Sequence, residues 1–142
     1  FLLAGDPSLA SFGAATDDLE GNINGDTFSS PDGIRIDPQG RLWVQTDHNL
    51  TGNAGTLNGA ATNMTGAFGN NSMYYIDQTS KQSKRFLVGP AGCEITGIAY
   101  TPDLKNFFIN IQHPTGNWPV AGQQPRSSTI VVRRTDGQPV GN

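Results

Sequence analysis

Cysteine is almost missing from this sequence. Cys93 stands alone among 142 residues, which excludes an internal disulfide and any multi-cysteine zinc or iron–sulfur site within the chain. Histidine is confined to His48 and His113, and glutamate to Glu20 and Glu94. No apolar run approaches the ~20 residues of a spanning helix, so no transmembrane segment is expected. Nine Lys+Arg against twelve Asp+Glu give a formal charge of −3. That balance leaves no concentrated basic surface, and nucleic acid is not expected as a partner. No charged segment followed by an apolar one opens the sequence at Phe1, so no export signal is visible.

Eighteen glycines and nine prolines favour many short strands and turns over helices, and the expected class is all-β. Phe1 to Ala4 reads as a strand ending at Gly5-Asp-Pro7. Residues 13 to 27 read as a long acidic loop, carrying Asp17, Asp18, Glu20 and Asp26. Residues 30 to 47 spell out a hairpin: Ile34 and Ile36 alternate with Arg35, Asp37-Pro-Gln-Gly40 turns, and Leu42-Trp-Val44 returns. From 49 to 72 the chain is rich in Asn, Gly, Thr and Ala and carries no strand signal, which predicts a functional loop. Further strands are expected over 73 to 77, 83 to 88, 93 to 100, 105 to 113 and 128 to 134.

Two segments share one grammar. Gly33-Ile-Arg-Ile-Asp37-Pro and Gly97-Ile-Ala-Tyr-Thr101-Pro each run from glycine through an apolar strand to a proline turn. Each continues with a basic residue opening an aromatic return strand. Motifs of this kind recur once per blade in β-propellers, and at ~40–45 residues per blade the chain holds about three. A propeller needs at least about four to close, so the chain is expected to be part of a longer protein. Trp43, Phe86, Phe107 and Phe108 are expected to pack between blades.

Glu94, in Gly92-Cys-Glu-Ile-Thr-Gly97, is the sharpest candidate for chemistry. It opens an apolar strand at a position that would face the channel of a propeller. A carboxylate there needs a cation or a metal, or else an arginine partner. Asp32 and Asp47 stand behind it as candidate metal ligands, with ordinary turn roles as the alternative for both. His48 and His113 read as strand-end histidines with local hydrogen bonds, and Cys93 as a small buried thiol. Arg35, Arg41 and Arg126 are possible phosphate partners, with nothing in the sequence to select among them.

Four blocks in order resemble the PhoX family of bacterial secreted alkaline phosphatases: Phe1-Leu-Leu-Ala-Gly-Asp-Pro7, Ser30-Pro-Asp-Gly33 with Gly40-Arg-Leu-Trp-Val-Gln-Thr-Asp47, Gly92-Cys-Glu-Ile-Thr-Gly97, and Phe108-Ile-Asn-Ile-Gln-His-Pro114. The resemblance implies that residues 1–142 are the C-terminal part of a six-bladed propeller hydrolysing phosphate monoesters. It also implies Ca²⁺ and Fe³⁺ as cofactors, export by the twin-arginine route to the periplasm or beyond, and a metal-bridging role for Glu94. Oxygen-preferring Ca²⁺ and Fe³⁺ suit such a carboxylate. The family's other iron ligands have no counterpart here, so the chain by itself is expected to be catalytically silent, with no catalytic residue assigned. The missing blades, or further copies of the chain, are the expected partners. Two alternatives remain at this stage. Pro31-Asp-Gly33 with Gly40-Arg-Leu-Trp43 is also similar to calcium-dependent lactonases of the gluconolactonase kind, and a propeller segment can serve as a non-enzymatic scaffold.

Overall fold

The computed structural model describes residues 1–6, 21–48, 53–57, 60–63 and 68–141, the two short segments 53–57 and 60–63 by backbone alone. Among the described residues ten strands follow in order: β1 (Asn24–Gly25), β2 (Pro31–Ile36), β3 (Leu42–Thr46), β4 (Asn53–Leu57), β5 (Ala60–Asn63), β6 (Ser72–Ile76), β7 (Gln82–Val88), β8 (Glu94–Tyr100), β9 (Phe107–Gln112) and β10 (Ser128–Val132). The fold is all-β. The first sheet has the order β1-β7-β6-β3-β2, the second β10-β9-β8, and β4 pairs only with β5. Within the first sheet β2, β3, β6 and β7 form an antiparallel meander, with β1 added in parallel beside β7.

Period-two alternation makes the second sheet two-faced. Phe107, Ile109 and Ile111 of β9 are buried while the residues between them are exposed. The buried row meets Trp43 and Met73 of the first sheet, together with Ile95, in one core cluster. Trp43 is at its centre, edge-on to Phe86 at 5.0 Å and to Phe107 at 5.2 Å between ring centroids. Each such pair adds about 0.5–1.5 kcal/mol beyond the area it buries. Val140 closes this cluster from the C-terminal side, its N–H donating to the Leu104 carbonyl at 2.9 Å.

Several expectations need correction. Phe1 to Ala4 is not a strand. Its partners are the irregular residues Asn22, which exchanges two hydrogen bonds with Leu3, and Phe28, bridged to Gly5. The stretch from 49 to 72 does contain strands, β4 and β5, built from Ala, Gly, Thr and Asn rather than from apolar alternation. The acidic loop over 13 to 27 lies outside the described residues through position 20, and beyond that it includes β1. Phe108 points away from the core because its neighbours Phe107 and Ile109 point in. It is 38% exposed and stands opposite Val131, itself 55% exposed.

The turn between β2 and β3 is held by a buried ion pair. Asp37 accepts from Arg41 Nε at 2.6 Å, from Trp43 Nε1 at 2.9 Å and from the Arg41 N–H at 3.1 Å. Burial alone would push the Asp37 carboxyl up, yet the bonds from Trp43 and Arg41 outweigh it and hold the group below the ordinary carboxylate range. A depressed folded pKa gives stability that is present above the unfolded value and lost as pH falls through the folded one. Asp37→Asn keeps an acceptor but loses the charge, and is expected to cost about 2 kcal/mol at neutral pH. Urea titrations from pH 7 to 3 should show a flatter acid limb for the variant, and an unchanged acid limb would contradict this account.

Candidate metal centre

β2 and β8 are edge strands of different sheets, and their N-terminal ends come together beside the C-terminal end of β3. Asp32 belongs to β2, Asp47 directly follows β3, and Glu94 opens β8. Carboxylate oxygens of all three lie within 4.8 Å of one another. The three carboxylates singled out from the sequence are thus brought to one place, with Asp32 and Asp47 exposed and the Glu94 side chain 12% exposed.

Local irregularities aim these side chains. The β2–β3 register shifts between Pro31 and Gly33, so Asp32 is the extra residue of a β-bulge, a device that redirects a side chain out of the regular alternation. A second shift, between Thr96 and Ile98 on β8, centres on Gly97 at φ +59°. Gly33 has no side chain for a reason: a Cβ there would lie 2.5 Å from Gln45 Oε1. The Gln45 amide crosses this gap and donates from Nε2 to the Gly97 carbonyl at 2.9 Å, tying the first sheet to the second.

Asn71 is the stronger tie. It is 1% exposed, and its Oδ1 accepts from Thr46 Oγ1 at 3.0 Å and from the His48 N–H at 2.8 Å. Its Nδ2 donates to the carbonyls of His48 at 3.1 Å and Cys93 at 3.0 Å. One buried amide therefore fixes the residues on both sides of Asp47 and the residue before Glu94. Neither Asn71 nor Gln45 stands out in the sequence, where Asn70-Asn-Ser72 shows only a glycosylation-like pattern that carries no positional information.

The electrostatics are those of a site short of positive charge. Burial, then the charges of Asp47 and Asp32 and a hydrogen bond with Asp32, raise the Glu94 carboxyl above its ordinary range, with His113 pulling the other way. Three oxygen donors from carboxylates suit a hard divalent or trivalent cation, and the strained proton affinity of Glu94 is what such a cation would relieve. The donor set fits calcium or iron.

The other candidates are placed less centrally. His113 bonds the Gly92 carbonyl through Nδ1 at 3.2 Å and sets Nε2 3.5 Å from Glu94 Oε2. His48 is buried, with Nε2 2.9 Å from the Gly69 carbonyl. Cys93 is buried at 1% exposure, and burial pushes its thiol up to about 11, which makes it inert rather than a thiolate ligand. Arg41 is engaged with Asp37, and Arg35 lies 5.9 Å over the Tyr100 ring. On the face that carries Glu94, an open cleft of about 400 Å³ is lined by uncharged groups including Thr96, Asn110, Gln112 and Thr129.

The family model of alkaline phosphatase PhoX matches residues 1–115. The chain belongs to the PhoX alkaline phosphatase family. Among solved structures it is similar to Pseudomonas fluorescens PhoX in complex with vanadate, a transition state analogue, at 36% identity and a TM-score of 0.78. That similarity covers 99% of this chain and 23% of the other, so the chain spans about a quarter of the length of that PhoX. No curated protein matches it. No helix among the described residues is long and apolar enough to cross a membrane.

Proposed function

We propose that this chain is the C-terminal portion of a calcium- and iron-dependent phosphomonoesterase, and that Asp32, Asp47 and Glu94 are among the ligands of its metal centre. The convergence of three carboxylates from three strand ends carries the reading, in a chain of the PhoX family. When bound, such ions neutralise charge developing on a phosphoryl group and activate an oxygen nucleophile. The chain's own contribution is to bring the three carboxylates together at one place. The bulge at Asp32, the Asn71 amide and the Gln45 bridge fix the donors in advance, as metal centres require.

The two meander sheets serve as blades of a six-bladed ring whose remainder lies elsewhere in the polypeptide. Ile34 and Ile36, 66% and 57% exposed on edge strand β2, and the Phe108–Val131 pair offer apolar surface for that remainder or for another copy. A location outside the cytoplasm, reached by the twin-arginine route, belongs to the same reading and follows from the family.

A p-nitrophenyl phosphate assay with Ca²⁺ and iron present tests it. The 142-residue chain alone should give no turnover, and a polypeptide extended to the length of a full PhoX should hydrolyse the ester in a metal-dependent way. Robust hydrolysis by the short chain would refute the placing of further ligands elsewhere. Hydrolysis of a lactone but not of the phosphate ester by the extended protein would refute the phosphatase reading itself.

A further inference from the structure

The end of the second sheet that lies away from Glu94 carries charge of the opposite sign. In the antiparallel β9–β10 pair Val132 stands opposite Phe107. Lys105 and Asn106, which lead into β9, therefore lie beside Arg133, Arg134 and Thr135, which follow β10. Glu94 pairs with Gln112 at the other end of β9, roughly 17 Å away at the rise of an extended strand. Lys105, Asn106, Arg133, Arg134, Thr135 and Gly137 line an open cleft of about 550 Å³, and no carboxylate is in that lining.

The acids of the same turns are committed to local donors. Asp136 accepts from Arg134 Nε at 2.9 Å, from Arg134 Nη2 at 2.5 Å and from the Gln138 N–H at 3.0 Å. Asp103 accepts from Thr101 Oγ1 at 2.6 Å and from the Lys105 N–H at 3.1 Å. Arg134 is thereby neutralised. The Arg133 guanidinium and the Lys105 ammonium are exposed, and neither makes a hydrogen bond or ion pair among the described residues. Donors are thus in excess at the cleft, for Arg133 alone brings five N–H groups and no acceptor. Lys and Arg on an edge strand commonly serve only to keep it from pairing with other chains. That role asks for charge along the strand, yet edge strand β10 reads Ser-Thr-Ile-Val-Val. The cations are gathered past its end, around a concavity.

We infer that this cleft binds a phosphate-bearing anion through Arg133 and Lys105. A guanidinium meets two oxygens of one phosphate at once, and an ammonium acts as a point charge beside it. The volume is that of a small-molecule pocket, so space remains for the group to which the phosphate is attached. Inorganic phosphate and the phosphate of a lipid headgroup present the same oxygens, and either fits. Nothing in this cleft depends on a metal ion.

The test uses the 142-residue chain in EDTA, so that no ion on the carboxylate cluster draws phosphate there. Nitrogen–proton correlation spectra are recorded during titration with inorganic phosphate at constant ionic strength. They should show saturable shifts centred on Lys105, Asn106 and residues 133–137, with a midpoint on the order of millimolar. Arg133→Gln should weaken this binding about tenfold and Lys105→Gln about threefold, with Arg133→Lys between wild type and Arg133→Gln. Unmoved resonances of Trp43 and Phe107 show that the variants are folded. Sedimentation with vesicles of phosphatidylglycerol in phosphatidylcholine separates the two sources. Vesicle binding that Arg133→Gln removes assigns the cleft to headgroups, and phosphate binding without it assigns the cleft to the free anion. If neither arm gives binding that Arg133→Gln weakens, or if the shifts stay linear in phosphate or centre elsewhere while vesicles do not bind, the site is overturned and these charges serve solubility alone.

Discussion

Glu94→Gln is expected to weaken cation binding by at least about a hundredfold, beyond the roughly ten- to hundredfold typical of changes behind a metal's direct ligands. Glutamine keeps the size and one carbonyl oxygen but removes the charge around which Asp32 and Asp47 are grouped. The ion-free protein should respond in the opposite direction. The Glu94 carboxyl is raised in the folded state by burial and by the two aspartates. Its contribution to stability is therefore full below the unfolded pKa and is lost as pH rises through the folded one. At neutral pH the ionised group destabilises the ion-free fold, and glutamine removes that burden. Thermal melts without added ions should place the variant above wild type, and saturating Ca²⁺ should reverse the order. A variant less stable than wild type in both conditions would show that Glu94 serves packing rather than ions.

Asn71→Ala should be the most damaging single change among the residues that support the site. Four hydrogen bonds disappear, and the carbonyls of His48 and Cys93, the His48 N–H and the Thr46 hydroxyl lose a buried partner. At about 1 kcal/mol for each bond, the loss approaches 4 kcal/mol, a large part of the margin of a small domain. Asn71→Asp is informative beside it. Aspartate retains the acceptor for Thr46 and His48 but turns an oxygen toward two carbonyl oxygens, close to three existing carboxylates. It should be no better tolerated than alanine and should weaken Ca²⁺ binding less than Glu94→Gln does. Urea denaturation of both variants measures this, and a shift below about 1 kcal/mol for alanine would mean that the surrounding groups find other partners.

Much of this architecture could be read in advance where side chains alternate and turns are marked. The strands β2, β3, β8, β9 and β10 fall within the expected segments, and β6 and β7 each begin one residue before theirs, because apolar and aromatic residues mark these strands between their turns. The β4–β5 hairpin escaped because its residues are small and polar, although Asn58-Gly59 stands between Leu57 and Ala60, the dipeptide most suited to a two-residue hairpin turn. Two-residue β1 pairs in parallel with a strand far along the chain, and nothing local announces such a partner. The carboxylates of the site were visible because a charge next to an apolar strand demands explanation. Gln45 and Asn71 were not, since a neutral amide in a sequence gives no hint of bonds that reach across dozens of residues. The bonds of His113 are not local ones, since it meets Gly92 and Ser127, distant in sequence, and its approach to Glu94 depends on the pairing of Glu94 with Gln112, the residue before it.

The carboxylates arrive from two sheets whose separation is set by the thickness of Trp43, Ile95 and Phe107 packed between them. The core consequently acts as a caliper on the cluster. A larger or smaller side chain at those buried positions, far from any donor atom, alters the aperture between Asp32 and Glu94 and with it the ionic radius the site accommodates. On the metal reading proposed above, selectivity among cations would be partly a property of the hydrophobic interior, and variants that repack that interior would retune it without touching a single oxygen.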